Sequence, residues 1–226
     1  MNSAHFLCYP KGSPPAQEHL DLREAIVQED PAAMIKALAA GASPLSHDCD
    51  AMRLAAATGG EPCMKLLIAE ARRLSGGSLS WGHRGCPSPL LVAVEHEEIS
   101  CLRLLISEVE EEGDVLMALS WAANGGHQQS LRELMRHCDP SDDGWFALLE
   151  AATIGQAPCV EILMEDFIRR GENPSALQDF AEQARSVGRH LEASMLAAAQ
   201  ESIALAQSAP RESQGFAESG RLRPRL

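Results

Sequence analysis

Residue types able to do covalent or metal chemistry are present but scattered. Seven cysteines stand at 8, 49, 63, 86, 101, 138 and 159. Three short clusters place His, Cys and Asp together: His47-Asp48-Cys49-Asp50, His83 with Cys86, and His137-Cys138-Asp139. Neutral imidazole, thiolate and carboxylate are zinc ligands, so each cluster could donate to a metal. A structural zinc site needs two ligand pairs at set spacing, and no Cys-x-x-Cys pair occurs. Polar loop residues on separate elements are the simpler reading. For nucleophilic catalysis there is no Gly-x-Ser-x-Gly and no His-Glu-x-x-His, and no glycine-rich phosphate loop follows a strand. No cofactor, metal or catalytic site is expected.

Cys63, Cys101 and Cys159 point away from chemistry and towards the elements that hold them. They occupy one slot of a repeated segment, where other copies carry Ala33 and Ser130. Five seventeen-residue segments align without gaps, beginning at Leu22, Met52, Leu90, Leu119 and Leu148. With the first residue numbered zero, position three is Ala25, Ala55, Ala93, Ala122 and Ala151. Position twelve is Met34, Met64, Leu102, Leu131 and Val160, and position fifteen is Ala37, Leu67, Leu105, Leu134 and Leu163. Positions zero, three and four share one face of a first helix; twelve, fifteen and sixteen share one face of a second. Turn-forming residues separate them, as in Gly59-Gly60-Glu61-Pro62 and Gly155-Gln156-Ala157-Pro158. Each segment therefore reads as a short antiparallel helical hairpin. Such a unit cannot bury its apolar face alone, so the units must stack. Cysteine at position eleven is then a small packing residue.

The pattern resembles the ankyrin repeat. Ser88-Pro89-Leu90 is similar to that family's Thr-Pro-Leu start, Ala122-Ala123 to its paired alanines, Gly126-His127 to its turn, and Gly41-Ala42 to its closing residues. The resemblance spans about Leu20 to Gly171 and implies an all-α, ankyrin-type helical-hairpin repeat solenoid. Unit starts are spaced 30, 38, 29 and 29 residues apart, against about 33 in the family. The long spacing marks an inserted loop over 71–89. A degenerate capping pair is expected from 177. The domain is expected over 17–206, with a loose leader over 1–16 and a disordered tail over 207–226.

The composition fits this reading and excludes others. The net charge is −13, which argues against direct nucleic-acid binding and favours a basic protein partner. Only the tail is basic, through Arg211, Arg221, Arg223 and Arg225. No apolar run is long enough to span a membrane, no secretory leader is visible, and the odd cysteine count suits a reducing cytoplasm. The family resemblance implies protein–protein recognition through the concave face and finger loops, as an adaptor or inhibitor, with no small-molecule substrate. Helix-end positions five and six are then the accessible ones. Candidate contacts are Glu95, His96, Asn124, Thr153 and Ile154, with Trp81 and Arg84 from the inserted loop and Asp142, Asp143 and Trp145 from a finger. Trp145 has two readings: an exposed anchor, or a residue buried against the next finger. Trp121, at position two, is expected in the core. The acidic run from Glu108 to Asp114 reads as a solvated helix end or a docking patch. An acidic decoy for a nucleic-acid-binding protein, and an enzyme with an unrecognised site, remain as alternative functions.

Overall fold

A computed structural model of the chain describes residues 16–76, 87–109, 112–143 and 145–208. Within them are twelve α-helices and no strand. The helices are α1 (Gln17–Val27), α2 (Pro31–Ala39), α3 (Ser46–Thr58), α4 (Glu61–Ser75), α5 (Pro89–Glu95), α6 (Ile99–Ile106), α7 (Glu112–Gly125), α8 (Gln128–Leu134), α9 (Phe146–Ile154), α10 (Ala157–Arg170), α11 (Ser175–Ser186) and α12 (His190–Ser208). Consecutive helices pair as six hairpins. The odd-numbered helices pack side by side as an inner row, and the even-numbered ones as an outer row.

The hairpin turn follows from backbone hydrogen bonding. Position seven of each unit adopts the left-handed conformation: Glu29, Gly59, Glu97, Gly126 and Gly155, with φ between 50° and 96°. That lets the N–H of position eight reach back to the carbonyl of position three. The bonds are Asp30 to Ala25 (2.9 Å), Glu98 to Ala93 (3.0 Å), His127 to Ala122 (2.9 Å) and Gln156 to Ala151 (2.8 Å). This is the Schellman closure, which satisfies carbonyls left open at a helix end. The next helix begins at once, with Pro31, Pro62 and Pro158 inside the first turns of α2, α4 and α10. In the last hairpin the same turn residue is Gly188, and Arg189 N–H donates to Ala184 (2.8 Å). Counting back seven places the zero position at Ala181, four residues after Leu177. Leu177, Ala181 and Ala184 all face the core.

Packing uses the repeated positions as the pattern requires. Position three is fully buried in all five units, and position twelve likewise. An alanine methyl at position three lets adjacent inner helices approach, and a larger side chain there would overpack the row. Position eleven does more than fill space. Cys101 Sγ lies 3.7 Å from the Ala55 carbonyl, and Ser130 Oγ donates to the Val94 carbonyl at 3.1 Å. Each therefore ties a unit to the end of the preceding inner helix. Burial pushes the Cys101 thiol up to about 12 and the Cys159 thiol to about 11. Thiols so protonated and enclosed are poor nucleophiles. Under native conditions at pH 8, Cys63, Cys101 and Cys159 should resist iodoacetamide, and denaturant should release all three. Rapid native alkylation of any one, read by peptide mass mapping, would contradict the packing role.

Hydrogen bonds also join successive turns. Gln156 Nε2 donates to the Asn124 carbonyl at 3.0 Å, with its amide lying over Gly126. The Arg189 guanidinium lies over Gly155 in the same way. A Cβ at Gly155 would come within 2.9 Å of Arg189, on a backbone with φ of 96°. Gly155→Ala is therefore expected to lower stability by about 1–2 kcal/mol, measurable by urea denaturation. An unchanged midpoint would show that the backbone at Gly155 relaxes out of the left-handed conformation without cost.

Candidate partner-binding groove

The outer row carries most of the domain's cations, and acids engage many of them. Arg72 makes a two-bond contact to Glu108 (2.6 and 2.8 Å), and Arg103 makes one to Glu133 (2.7 and 3.0 Å). Arg170 bridges Asp139 and Asp166, and Arg169 also contacts Asp166. The Arg72–Glu108, Arg103–Glu133 and Arg170–Asp139 pairs link neighbouring units, and Glu108 at the start of the acidic run is one of their members. A depression of about 400 Å³ on this side is lined by Arg132, Met135, Arg136, Ile162, Glu165, Asp166 and Arg169. Its charges are of mixed sign and partly paired, so it selects no single ligand chemistry.

The inner row is different. Helices α5, α7 and α9 contain neither Lys nor Arg. Between them lies an open groove of about 420 Å³, lined by Glu95, Met117, Ser120, Trp121, Asn124, Gly125, His127 and Glu150. One face of α7 supplies most of it. Met117, Trp121 and Asn124 recur at four- and three-residue spacing, while Ala118, Leu119, Ala122 and Ala123 on the opposite face are fully buried. Met117 is 46% exposed and Trp121 47%. Across the groove, Glu150 accepts a hydrogen bond from Asn124 Nδ2 at 2.8 Å. That bond orients the carboxylate beside the indole. Glu95 is exposed at the end of α5.

Of the residues singled out from sequence, Glu95 and Asn124 meet in this groove. His96 is exposed next to Glu95, and Ile154 is 43% exposed at the end of α9. Thr153 is half-buried and turns its hydroxyl back onto its own helix, donating to the Leu149 carbonyl at 2.9 Å. Asp142 is exposed on the 3-10 turn Pro140–Asp143. Asp143 serves the fold: its carboxylate caps the Phe146 N–H at 3.1 Å, and burial pushes its pKa up. Trp81 and Arg84 lie outside the described residues, as do His83 and Cys86. His47 stacks near His19, with ring centroids 4.5 Å apart. Among the described residues no group of three His, Cys, Asp or Glu side chains is placed to hold a metal.

The two tryptophans require correction. Trp145 is only 4% exposed, so it is not an accessible anchor. The 3-10 turn brings it round onto α10, where its ring meets Phe167 edge-on at 4.9 Å between centroids. Its own φ of 64° is unusual for a bulky residue and is imposed by this turn. Trp121, expected in the core, is instead the exposed one. Position two lies about 200° round the helix from position zero, so the wheel itself puts it opposite the core. That signal was available in the sequence.

Comparison with known proteins agrees with the architecture. Residues 90–178 match the family described as ankyrin repeats (3 copies). No curated protein matches the chain significantly. Among solved structures, an ankyrin repeat domain from Acinetobacter baumannii AYE superposes with a TM-score of 0.54 at 22% identity, covering 79% of this chain and 96% of that one. The human ASB11 ankyrin repeat domain superposes with a TM-score of 0.51 at 18% identity, covering 77% and 82%. The fold is that of an ankyrin repeat domain, and residues 90–178 carry the family's own sequence pattern. Domains of this class are in general protein–protein interaction modules, and no helix of the described residues is long and apolar enough to cross a membrane.

Proposed function

We propose that this chain is an adaptor or inhibitor that binds one protein partner in the groove between α5, α7 and α9, with Trp121 as the central anchor. The observation that carries this reading is the half-exposed Trp121 beside the half-exposed Met117 on a helix whose opposite face is completely buried. Trp is enriched among residues that dominate interface energetics, and Met adapts to the shape of what it meets. Glu95, Asn124 and Glu150 around them supply the polar rim such interfaces have. The module needs no catalytic group for this role. The use of Cys63, Cys101 and Cys159 as buried packing residues supports a reducing compartment such as the cytoplasm.

Affinity purification of the intact chain and of Trp121→Ala from the native cell, followed by quantitative mass spectrometry, tests the proposal. The principal co-eluting protein should fall at least about tenfold with the variant, as for an interface residue contributing more than ~1.4 kcal/mol. Equal recovery of every co-eluting protein would place the docking surface elsewhere. If the partner binds nucleic acid, DNA or RNA should compete with this chain for it, and the complex should weaken steeply with salt.

A further inference from the structure

Resting on the groove as the docking site, we infer that its occupant is an arginine-bearing segment of a partner protein, with the guanidinium laid on Trp121 between Glu95 and Glu150. Three observations converge on that chemistry. The indole of Trp121 is available from the groove, and its ring face attracts cations. Two carboxylates, Glu95 and Glu150, line the same space, and the helices that build it carry no Lys or Arg to neutralise them. Among the described residues Glu95 has no ion-pair partner.

Other occupants fit less well. An acidic segment would meet like charge with no cation on α5, α7 or α9 to offset it. A wholly apolar segment could cover Met117 and Trp121, but it would strip water from Glu95 and Glu150 without pairing them, which is costly. Lysine would satisfy one carboxylate as a point charge. Arginine is planar, stacks on an aromatic face and donates in several directions at once, so it can contact the indole and both carboxylates together. Met117, one turn away, would take the aliphatic part of the same segment. The free oxygen capacity of Glu150 beyond its bond to Asn124 remains for the guanidinium.

Panning a random twelve-residue peptide phage library on the intact protein tests this. Parallel selections use Trp121→Ala, the double variant Glu95→Gln/Glu150→Gln, and the triple variant Arg221→Gln/Arg223→Gln/Arg225→Gln, which neutralises the chain's own basic tail. Peptides that bind the intact protein but not Trp121→Ala should carry one arginine at a fixed position, favoured over lysine. Replacing that arginine with glutamine, or using the Glu95/Glu150 double variant, should each weaken binding about two- to thirtyfold, with melting temperature unchanged. Trp121-dependent peptides without an arginine preference would overturn the arginine and leave the groove as the docking site. Failure to recover any Trp121-dependent peptide would overturn the docking site as well. Arginine peptides recovered only from the triple variant would place the chain's own tail in the groove and overturn a separate partner.

Discussion

Replacing Asp50 with alanine is expected to remove about 3–5 kcal/mol of folding stability, a cost typical of breaking a buried ion pair from one side. Asp50, in the first turns of α3, is 2% exposed and faces α1. Its carboxylate contacts the guanidinium of Arg23 and, at 3.5 Å, that of Arg53, while His19 Nε2 lies 3.4 Å away. Arg53 is itself 1% exposed. Without the carboxylate, the enclosed Arg53 would lose a counter-charge where water is largely excluded, and the partly exposed Arg23 would lose its ion pair. Guanidinium chloride denaturation measures the loss, and a change below about 1 kcal/mol would show that the cluster is solvated or reorganises.

The same carboxylate gives the domain a defined acid sensitivity. Burial alone would raise the Asp50 pKa. The hydrogen bonds from His19 and Arg23 and the charges of Arg23 and Arg53 outweigh it and hold the group below its ordinary value. A carboxyl with a depressed folded-state pKa stabilises the fold above its unfolded pKa of about 3.9 and loses that contribution as pH falls through the folded value. The intact protein should therefore lose stability between pH 5 and pH 3 more steeply than Asp50→Asn, which has no proton to take up there. Parallel slopes in that window would remove Asp50 from the acid response.

Trp145→Ala is expected to cost about 3–5 kcal/mol, whereas Trp121→Ala should change stability by less than about 0.5 kcal/mol. The contrast follows from placement alone. Trp145 fills the space between the Pro140–Asp143 turn and Phe167, and its removal leaves a cavity there. The indole Nε1 of Trp145 has no hydrogen-bond acceptor within reach among the described residues. Trp145→Phe therefore forfeits no polar contact and should recover a large part of the loss. Trp121 contacts its own helix on one side and the open groove on the other, so truncation there should be felt by the partner and hardly by the fold. Urea denaturation of the three variants reads all of this directly. Near-wild-type stability for Trp145→Ala would mean that the finger does not pack on α10.

Much of this architecture is legible in residue order because the hairpin is a local structure repeated in register. Alanine at position three, apolar residues at twelve and fifteen, and Gly or Pro between them in most units act within about twenty residues of chain. Each also finds the same neighbour in the next unit, so one alignment states both the helix pairs and their stacking. The small slot at position eleven is readable too, although its hydrogen bond to the previous unit is not. Cys101 meets the Ala55 carbonyl across 46 residues, a contact that exists only once the units are stacked.

The binding surface is less legible. Glu95 and Asn124 follow from their place at helix ends, but Trp121 and Trp145 exchange the roles that residue type and family pattern suggest. A tryptophan after Gly144 in a loop reads as exposed until a 3-10 turn, capped by Asp143 on Phe146, folds it inward. Asp50 presents the same problem, since His47-Asp48-Cys49-Asp50 resembles a ligand cluster until α1 brings His19 and Arg23 against it.

The amino-acid sequence by itself determined the helix pairs, their order and the identity of the buried faces, because those depend on periodicities of a few residues. Only the tertiary structure decided which polar side chains meet in the groove beside Trp121 and that Trp145 is sealed against α10. The physical reason is that exposure of a large side chain is set by what packs over it from another unit, and that neighbour lies about thirty residues away.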